Sequence, residues 1–205
     1  MKLNLGCGSK KLEGWINIDS VAEFKPDLVH DVSLPLPYSD DSIDEILAEG
    51  LLEHFDKYLR FIIFYDWIRI LKVGGIITVV VPNFHKILRR YFKFHFSTFL
   101  DNIFGETMWE TKKYLGHFGI HKWGYSVKTL TEFVQKFGME IIKINKKDLS
   151  ITLVARKRKH IKKELIYNIE INPTVDKKGF SRGSLSVKQA ERLISSFLNS
   201  ELSSR

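Results

Sequence analysis

With 205 residues, 44% of them hydrophobic and 27% charged, the sequence has the size and balance of a globular domain, which excludes disordered and fibrous classes. The single cysteine, Cys7, excludes an internal disulfide and a cysteine-based metal site, and no apolar run reaches the ~18 residues of a membrane span. The net charge of +8 divides into −8 over residues 1–56, +9 over 57–154 and +7 over 155–205. An acidic first third suits a cationic ligand, and a basic remainder suits an anionic partner. Residues 1–20 hold no basic-then-apolar leader, so a soluble, cytoplasmic protein is the expectation.

Strands are expected first at 2–5, 15–19, 27–31 and 43–49, each a short apolar run closed by polar residues. A helix is then predicted over 51–72, with Gly74 and Gly75 as its stop. A buried strand follows at 76–82. Residues 83–104 carry a helical apolar stripe together with Lys86, Arg89, Arg90 and Lys93. That stretch fits a plain amphipathic helix, a lid over an acceptor, or an interfacial helix in peripheral contact with a membrane. A helix at 127–137 and strands at 139–146 and 150–157 complete the pattern, an α/β alternation with a mostly parallel sheet. Only nine residues separate Leu5 from Trp15, and seven separate Asp19 from Asp27. A strand–helix–strand crossover needs at least about 10–12, so the early helices are abbreviated and one sheet face is thinly covered. Residues 1–157 form the predicted domain. Residues 158–205 are a basic, turn-rich extension ending in an amphipathic helix at 185–202, whose stripe of Val187, Leu193, Ile194 and Phe197 needs a surface. It covers the thin face, pairs two copies in a homodimer, or remains a tail.

Glycines after a first strand let the backbone approach a ligand closely, and Gly6 and Gly8 occupy that place. Asp19 closes the second strand, where a carboxylate accepts the hydroxyls of a ribose. Asp31 closes the third, where an acid accepts from an adenine amine while the Val32 backbone meets the ring edge. Either acid alone fits strand-end solvation; together, spaced from the glycines as they are, they favour a nucleoside site.

The stretches LNLGCG, GWINID, DVSLPLPYSDDSIDEI, LLEHF, WIRILKVGGIITVVVP and HKWGYSVKTLTEFVQKFGMEI run in order from residue 2 to about 157. As a set they resemble a class I S-adenosylmethionine-dependent methyltransferase, most closely the small predicted methyltransferases encoded among polysaccharide and cell-surface glycan genes. The resemblance implies a Rossmann-like fold with a seven-stranded, mainly parallel sheet. It also implies methyl transfer from S-adenosylmethionine, foremost to a sugar oxygen or another small metabolite. By position, Leu5, Gly6, Cys7 and Gly8 would lie under the methionine half of the cofactor, Asp19 at its ribose, and Asp31 with Val32 at its adenine. Glu49 would stand beside the sulfonium, and His54 is either a cofactor neighbour or a structural histidine. Two positions depart from the pattern: Asn4 stands where many members carry an acid, and Lys10 where they carry a third glycine. S-adenosylmethionine has no phosphate for that glycine to admit, so the loop suits this cofactor and is poor for a dinucleotide.

Transfer to a hydroxyl needs the acceptor held in line and a base for its proton. Candidates cluster at 115–126, with His121 first as base, His117 second, and Tyr125 orienting the acceptor. His121 equally fits a residue that caps or packs the next helix. His117 and His121 have a metal-like spacing, but Gly119 disfavours a helix and no third ligand is evident, so no metal is expected. The basic helix near this segment suits a phosphorylated acceptor such as a nucleotide sugar or lipid-linked glycan. RNA methylation assisted by the tail KRKHIKK is an alternative, without the Asn/Asp-Pro-Pro-Tyr-like motif expected for an exocyclic amine. A cofactor-binding scaffold without catalysis is another, compatible with Asn4 and the short loop.

Overall fold

Apolar residues alternate along the strands, and that alternation builds a sheet with two unlike faces. The computed structural model of the chain describes residues 1–57, 59–91 and 120–161. Its strands are β1 (Lys2–Leu5), β2 (Ile16–Asp19), β3 (Leu28–Val29), β4 (Ile43–Glu49), β5 (Leu71–Pro82), β6 (Met139–Asn145) and β7 (Ser150–Lys157). They form one seven-stranded sheet in the order β3-β2-β1-β4-β5-β7-β6. Every neighbouring pair from β3 to β5 is parallel, and β7 inserts antiparallel between β5 and β6. This is the seven-stranded, mainly parallel sheet expected from the sequence.

Leu5, Ala48, Val79 and Leu153 lie in register across one face, each fully buried. They join a core that includes Phe64 and Trp67 of α1 (Leu59–Ile70) and Phe133 of α3 (Val127–Gln135). On the other face Leu47, Thr78 and Val154 are only partly covered. Between β1 and β4 the chain forms one 3₁₀ turn, Ala22–Phe24, and no α-helix. The early helices are abbreviated as expected, but on β1 and β2 that face is closed by Asn4 and Asn17, both buried, and the partly covered residues lie on the later strands.

Several boundaries differ from those expected. The third strand shrinks to Leu28–Val29 because the acids that flank it are taken up locally. Asp27 Oδ2 accepts from the Asn17 backbone at 2.7 Å, and Asp31 Oδ1 accepts from Ser33 N at 2.9 Å. The helix predicted over 51–72 is a 3₁₀ turn at Leu52–His54 followed by α1, whose first turn is capped where Asp56 Oδ1 accepts from Leu59 N at 2.8 Å. Gly74 and Gly75 do not stop this helix, for they lie within β5. A Cβ on Gly75 would sit 2.9 Å from the Lys72 carbonyl, and the pairing slips here from Ile43↔Leu71 to Glu45↔Ile76. What ends the helix is Lys157, fully buried on β7, whose ammonium donates to the carbonyls of Ile68 at 2.8 Å and Leu71 at 2.6 Å and pairs with Asp41. A buried cation thus satisfies carbonyls that a helix end leaves open.

The helix predicted over 83–104 is described as α2 (Phe84–Tyr91); its remaining residues, Lys93 among them, and the predicted helix at 185–202 lie outside the described residues. The helix predicted at 127–137 is α3, opened by a reciprocal pair in which Ser126 Oγ accepts from Thr129 N and Thr129 Oγ1 accepts from Ser126 N. Among the described residues no helix is long and apolar enough to cross a membrane.

Candidate functional site

In an open, mainly parallel sheet the ligand crevice lies outside the carboxyl ends of the strands where the strand order reverses. Here that point falls between β1 and β4, since the chain leaves β1 toward β2 on one side and returns to β4 on the other. The loop after β1 turns on Gly6 and Gly8, with φ of +63° and +51°, angles that favour glycine. A Cβ on Gly6 would meet the Leu51 side chain at 2.8 Å, whereas a Cβ on Gly8 would meet nothing within 4 Å. Gly6 is thus packed against the start of the next segment while Gly8 borders open space. Between them Cys7 N donates to the Ile18 carbonyl at 3.0 Å; the thiol is pushed up by burial and by the nearby Asp19 charge. Cys7 is a packing residue held in the loop.

Asp19, buried at the end of β2, holds this loop from below. Its Oδ2 accepts from Gly8 N at 2.7 Å and its Oδ1 from Val21 N at 2.9 Å. Each oxygen retains a further lone pair, so acceptor capacity for a hydroxyl pair remains. Asp31 is half-buried and committed in part to the Ser33 backbone, and buried Val32 presents a carbonyl to the Trp67 indole at 3.4 Å. Glu49, at the exposed end of β4, pairs with Lys10 Nζ at 2.7 Å. The residue in place of the third glycine therefore stretches across the mouth from β1 to β4.

Asn4 has a role that its sequence position conceals. It is buried, opposite Asn17 in register, and its amide donates to Asn17 Oδ1 at 3.0 Å and to the Lys10 carbonyl at 2.9 Å. Asn17 in turn accepts from Leu12 N and donates to the Leu12 carbonyl and to Asp27. This amide pair holds the short loop in place of the missing crossover helix. A carboxylate at position 4 could accept but not donate, so the departure from the acidic pattern follows from the short loop. The two asparagines are the sequence signal that was overlooked.

The second half of the crevice grows from the end of β4. Gly50, at φ +61°, turns the chain and donates its N–H to the Val80 carbonyl at 2.9 Å, and the 3₁₀ turn Leu52–His54 follows. Within it Glu53 is 2% exposed. Its backbone carbonyl accepts from both Lys122 N and Trp123 N, at 2.8 and 3.0 Å, which draws residues 120–123 over the turn. The Glu53 carboxyl lies 4.0 Å from His121 Nε2 through Oε1, while Oε2 is buried with no hydrogen-bond partner among the described residues. Burial pushes this carboxyl up to about 8. His54 donates Nδ1–H to the Ile120 carbonyl at 3.2 Å and meets the His121 ring edge-on at 4.9 Å between centroids. Burial and then the neighbouring His121 hold His54 down to about 4, against the pull of the Ile120 and Gly50 carbonyls, so it is a neutral imidazole near pH 7.

One ligating atom from each of Glu53, His54 and His121 lies within 4.8 Å of the others. The structure thus brings together two of the predicted residues, His54 and His121, with one that sequence reasoning missed. Glu53 thus joins a different pair of histidines, His54 and His121, from the His117 and His121 whose spacing the sequence offers. Its signal was the Glu-His pair of LLEHF, of which only the histidine was weighed. His117 lies outside the described residues.

Tyr125, expected to orient an acceptor, is instead a core residue. It is 1% exposed, and its hydroxyl accepts from Arg60 Nη1 at 3.2 Å and is pushed up to about 12 chiefly by burial. The Arg60 guanidinium lies 4.1 Å over the Trp123 ring. The Tyr125 carbonyl accepts from Phe84 N at 3.0 Å. These contacts fasten residues 120–126 across the ends of β4 and β5, and so position His121.

No family model and no curated protein matches this sequence. Solved structures do resemble it. A S-adenosylmethionine-dependent methyltransferase from Methanosarcina mazei is 21% identical, with 76% of this chain and 91% of that one covered at a TM-score of 0.57. A Burkholderia thailandensis 1,6-didemethyltoxoflavin-N1-methyltransferase, solved with 1,6-didemethyltoxoflavin and S-adenosylhomocysteine, is 15% identical over 77% of this chain and 71% of that one, TM-score 0.52. A S-adenosylmethionine-dependent methyltransferase from Mesorhizobium loti is 14% identical over 76% and 90%, TM-score 0.54. At such identities the likeness is one of fold: this chain has the Rossmann-like fold of class I methyltransferases.

Proposed function

We propose that this protein transfers a methyl group from S-adenosylmethionine to an oxygen of a small acceptor, a sugar or glycan hydroxyl foremost. The observation that carries the reading is the juxtaposition, at the switch point of a methyltransferase fold, of an open Gly8 loop held by Asp19 with a partly buried cluster of Glu53, His54 and His121. The first half fits a phosphate-free nucleoside cofactor. Gly6, Cys7 and Gly8 would run under its methionine part, Asp19 would accept from the ribose, and Asp31 with Val32 would meet the adenine. Glu49 would face the sulfonium once Lys10 swings aside; both side chains are exposed, so that ion pair is weak.

The second half fits the acceptor. A hydroxyl placed between the cluster and the cofactor attacks the methyl carbon as the S–CH₃ bond breaks. The bonding pair returns to sulfur, S-adenosylhomocysteine leaves, and the hydroxyl proton passes to His121. Glu53 lies beside the ring, 4.0 Å from Nε2, and favours the imidazolium only once its own carboxyl is ionised. An RNA acceptor is less well supported, because in the basic tail that would assist it Lys157 is buried against the Ile68 and Leu71 carbonyls and Arg158 pairs with Glu140 at 3.3 Å. A scaffold without catalysis loses its main support, since Asn4 holds the loop together and is no mark of decay.

Calorimetry with S-adenosylmethionine and S-adenosylhomocysteine tests the premise. Binding with a dissociation constant well below millimolar is expected, and its absence overturns the reading. A screen of nucleotide sugars and lipid-linked glycans for S-adenosylhomocysteine release then tests the acceptor class.

A further inference from the structure

We propose that Glu53, His54 and His121 form a binding site for one divalent transition-metal ion, best matched to Zn²⁺, at the acceptor side of the crevice. The inference deepens the methyl-transfer reading, but the site itself would exist without it.

Three observations converge on an ion. The first is the unpartnered oxygen. Glu53 is 2% exposed, and its Oε2 has no hydrogen-bond partner among the described residues. A buried carboxylate without partners is costly unless a cation joins it. The second is spacing. Metal–nitrogen and metal–oxygen bonds of about 2.0–2.2 Å place two ligand atoms at most about 4.2 Å apart. Glu53 Oε1 and His121 Nε2 are 4.0 Å apart, and the full set lies within 4.8 Å, so a small side-chain rotation completes the site. The third is the outer contact of His54, a ring held by its bond to the Ile120 carbonyl at 3.2 Å beside the His121 ring. Ligand histidines ordinarily make such a contact, which fixes their tautomer and aim.

The donor set names the class of ion. Two imidazoles and one carboxylate suit Zn²⁺, Mn²⁺ or Fe²⁺, whereas Mg²⁺ and Ca²⁺ prefer all-oxygen sites. Three protein ligands leave a position open, as in catalytic sites and unlike closed structural ones. An acceptor hydroxyl entering that position would be polarised, and its proton would pass to water. His121 would then serve as a ligand, and coordination of the acceptor would replace it as the means of removing the proton.

The test uses the full chain, freed of metal with a chelator and titrated with Zn²⁺ and separately with Mn²⁺, without cofactor or acceptor. One equivalent of Zn²⁺ should bind. Glu53→Gln and His121→Asn should each weaken binding at least about tenfold, as loss of a ligand demands. His85→Ala and His160→Ala, histidines outside the cluster, should leave it unchanged. Failure to bind Zn²⁺ or Mn²⁺, or binding that survives both cluster substitutions, overturns the proposal. Circular dichroism checks that each variant is folded; should Glu53→Gln not fold, His121→Asn decides. Because the titration contains no cofactor, its failure would leave calorimetry with S-adenosylmethionine as a separate test of methyl transfer.

Discussion

Two carboxylates sit at the same edge of the sheet, Asp19 after β2 and Glu53 after β4, both buried, and their surroundings are opposite in kind. Each oxygen of Asp19 receives a backbone N–H within 2.9 Å, from Gly8 and from Val21. Among the described residues Glu53 receives none at its Oε2, and its Oε1 lies 4.0 Å from the His121 imidazole. Burial alone therefore does not make a reactive acid; the supply of donors decides. Asp19 holds a loop in shape, and what it offers a ligand is spare acceptor capacity. Glu53 leaves its Oε2 without a hydrogen bond among the described residues, open to a proton, an ion or an acceptor.

The contrast can be broken first at Asp19. Asp19→Ala would strip two backbone N–H groups of their partner and lower stability by about 3 kcal/mol. Urea unfolding should register this, and calorimetry should register loss of S-adenosylmethionine binding. Asn4→Asp comes next. It places a carboxylate against the Lys10 carbonyl and Asn17 Oδ1, acceptor facing acceptor, at a cost of about 2 kcal/mol by the same measurement. If the variant were as stable as the parent, the amide network would not be what holds the short loop.

Glu53 should behave differently, through pH. In the metal-free folded chain its carboxyl keeps its proton up to about pH 8, whereas the unfolded chain loses it near 4.5. The folded state thus binds the extra proton between those values, and stability falls as pH rises through them. His54 acts in the opposite sense, staying neutral down to about 4 when folded, so its contribution is lost only below about 6.5. From pH 7 to 8 His54 is largely neutral in both states, and Glu53 accounts for a decline of about 1 kcal/mol. Glu53→Gln should abolish that slope. The smallest effect belongs to Lys10→Ala. The exposed pair with Glu49 contributes under about 1 kcal/mol, so stability should hardly move. On the proposed reading, affinity for S-adenosylmethionine should rise by about two- to fivefold at low salt, as Glu49 is released.

The glycine loop was legible in the sequence because every part of it lies within 19 residues. Gly6, Gly8 and Asp19 follow strands whose two-residue period shows which side chains point where. The seven strands and the missing early helices followed from the same periodicity and from interval lengths. The role of Asn4 is not legible locally, because its partner, Asn17, becomes a neighbour only once β1 and β2 pair. Tyr125 was misread because nothing local says that Arg60, 65 residues earlier, takes its hydroxyl.

What the sequence by itself determined is the order of the elements and the first half of the crevice, since local spacing dictates the direction of side chains on a strand or turn. Only the tertiary structure decided where α1 ends, because the cation that closes it is Lys157, 86 residues beyond Leu71. Only the tertiary structure, too, decided that Glu53 and His54 meet His121. That meeting rests on backbone bonds from Lys122 and Trp123 to the Glu53 carbonyl and on the Arg60–Trp123 stack. Such contacts form when two distant segments pack across the ends of the same strands, and no periodicity within either segment records them.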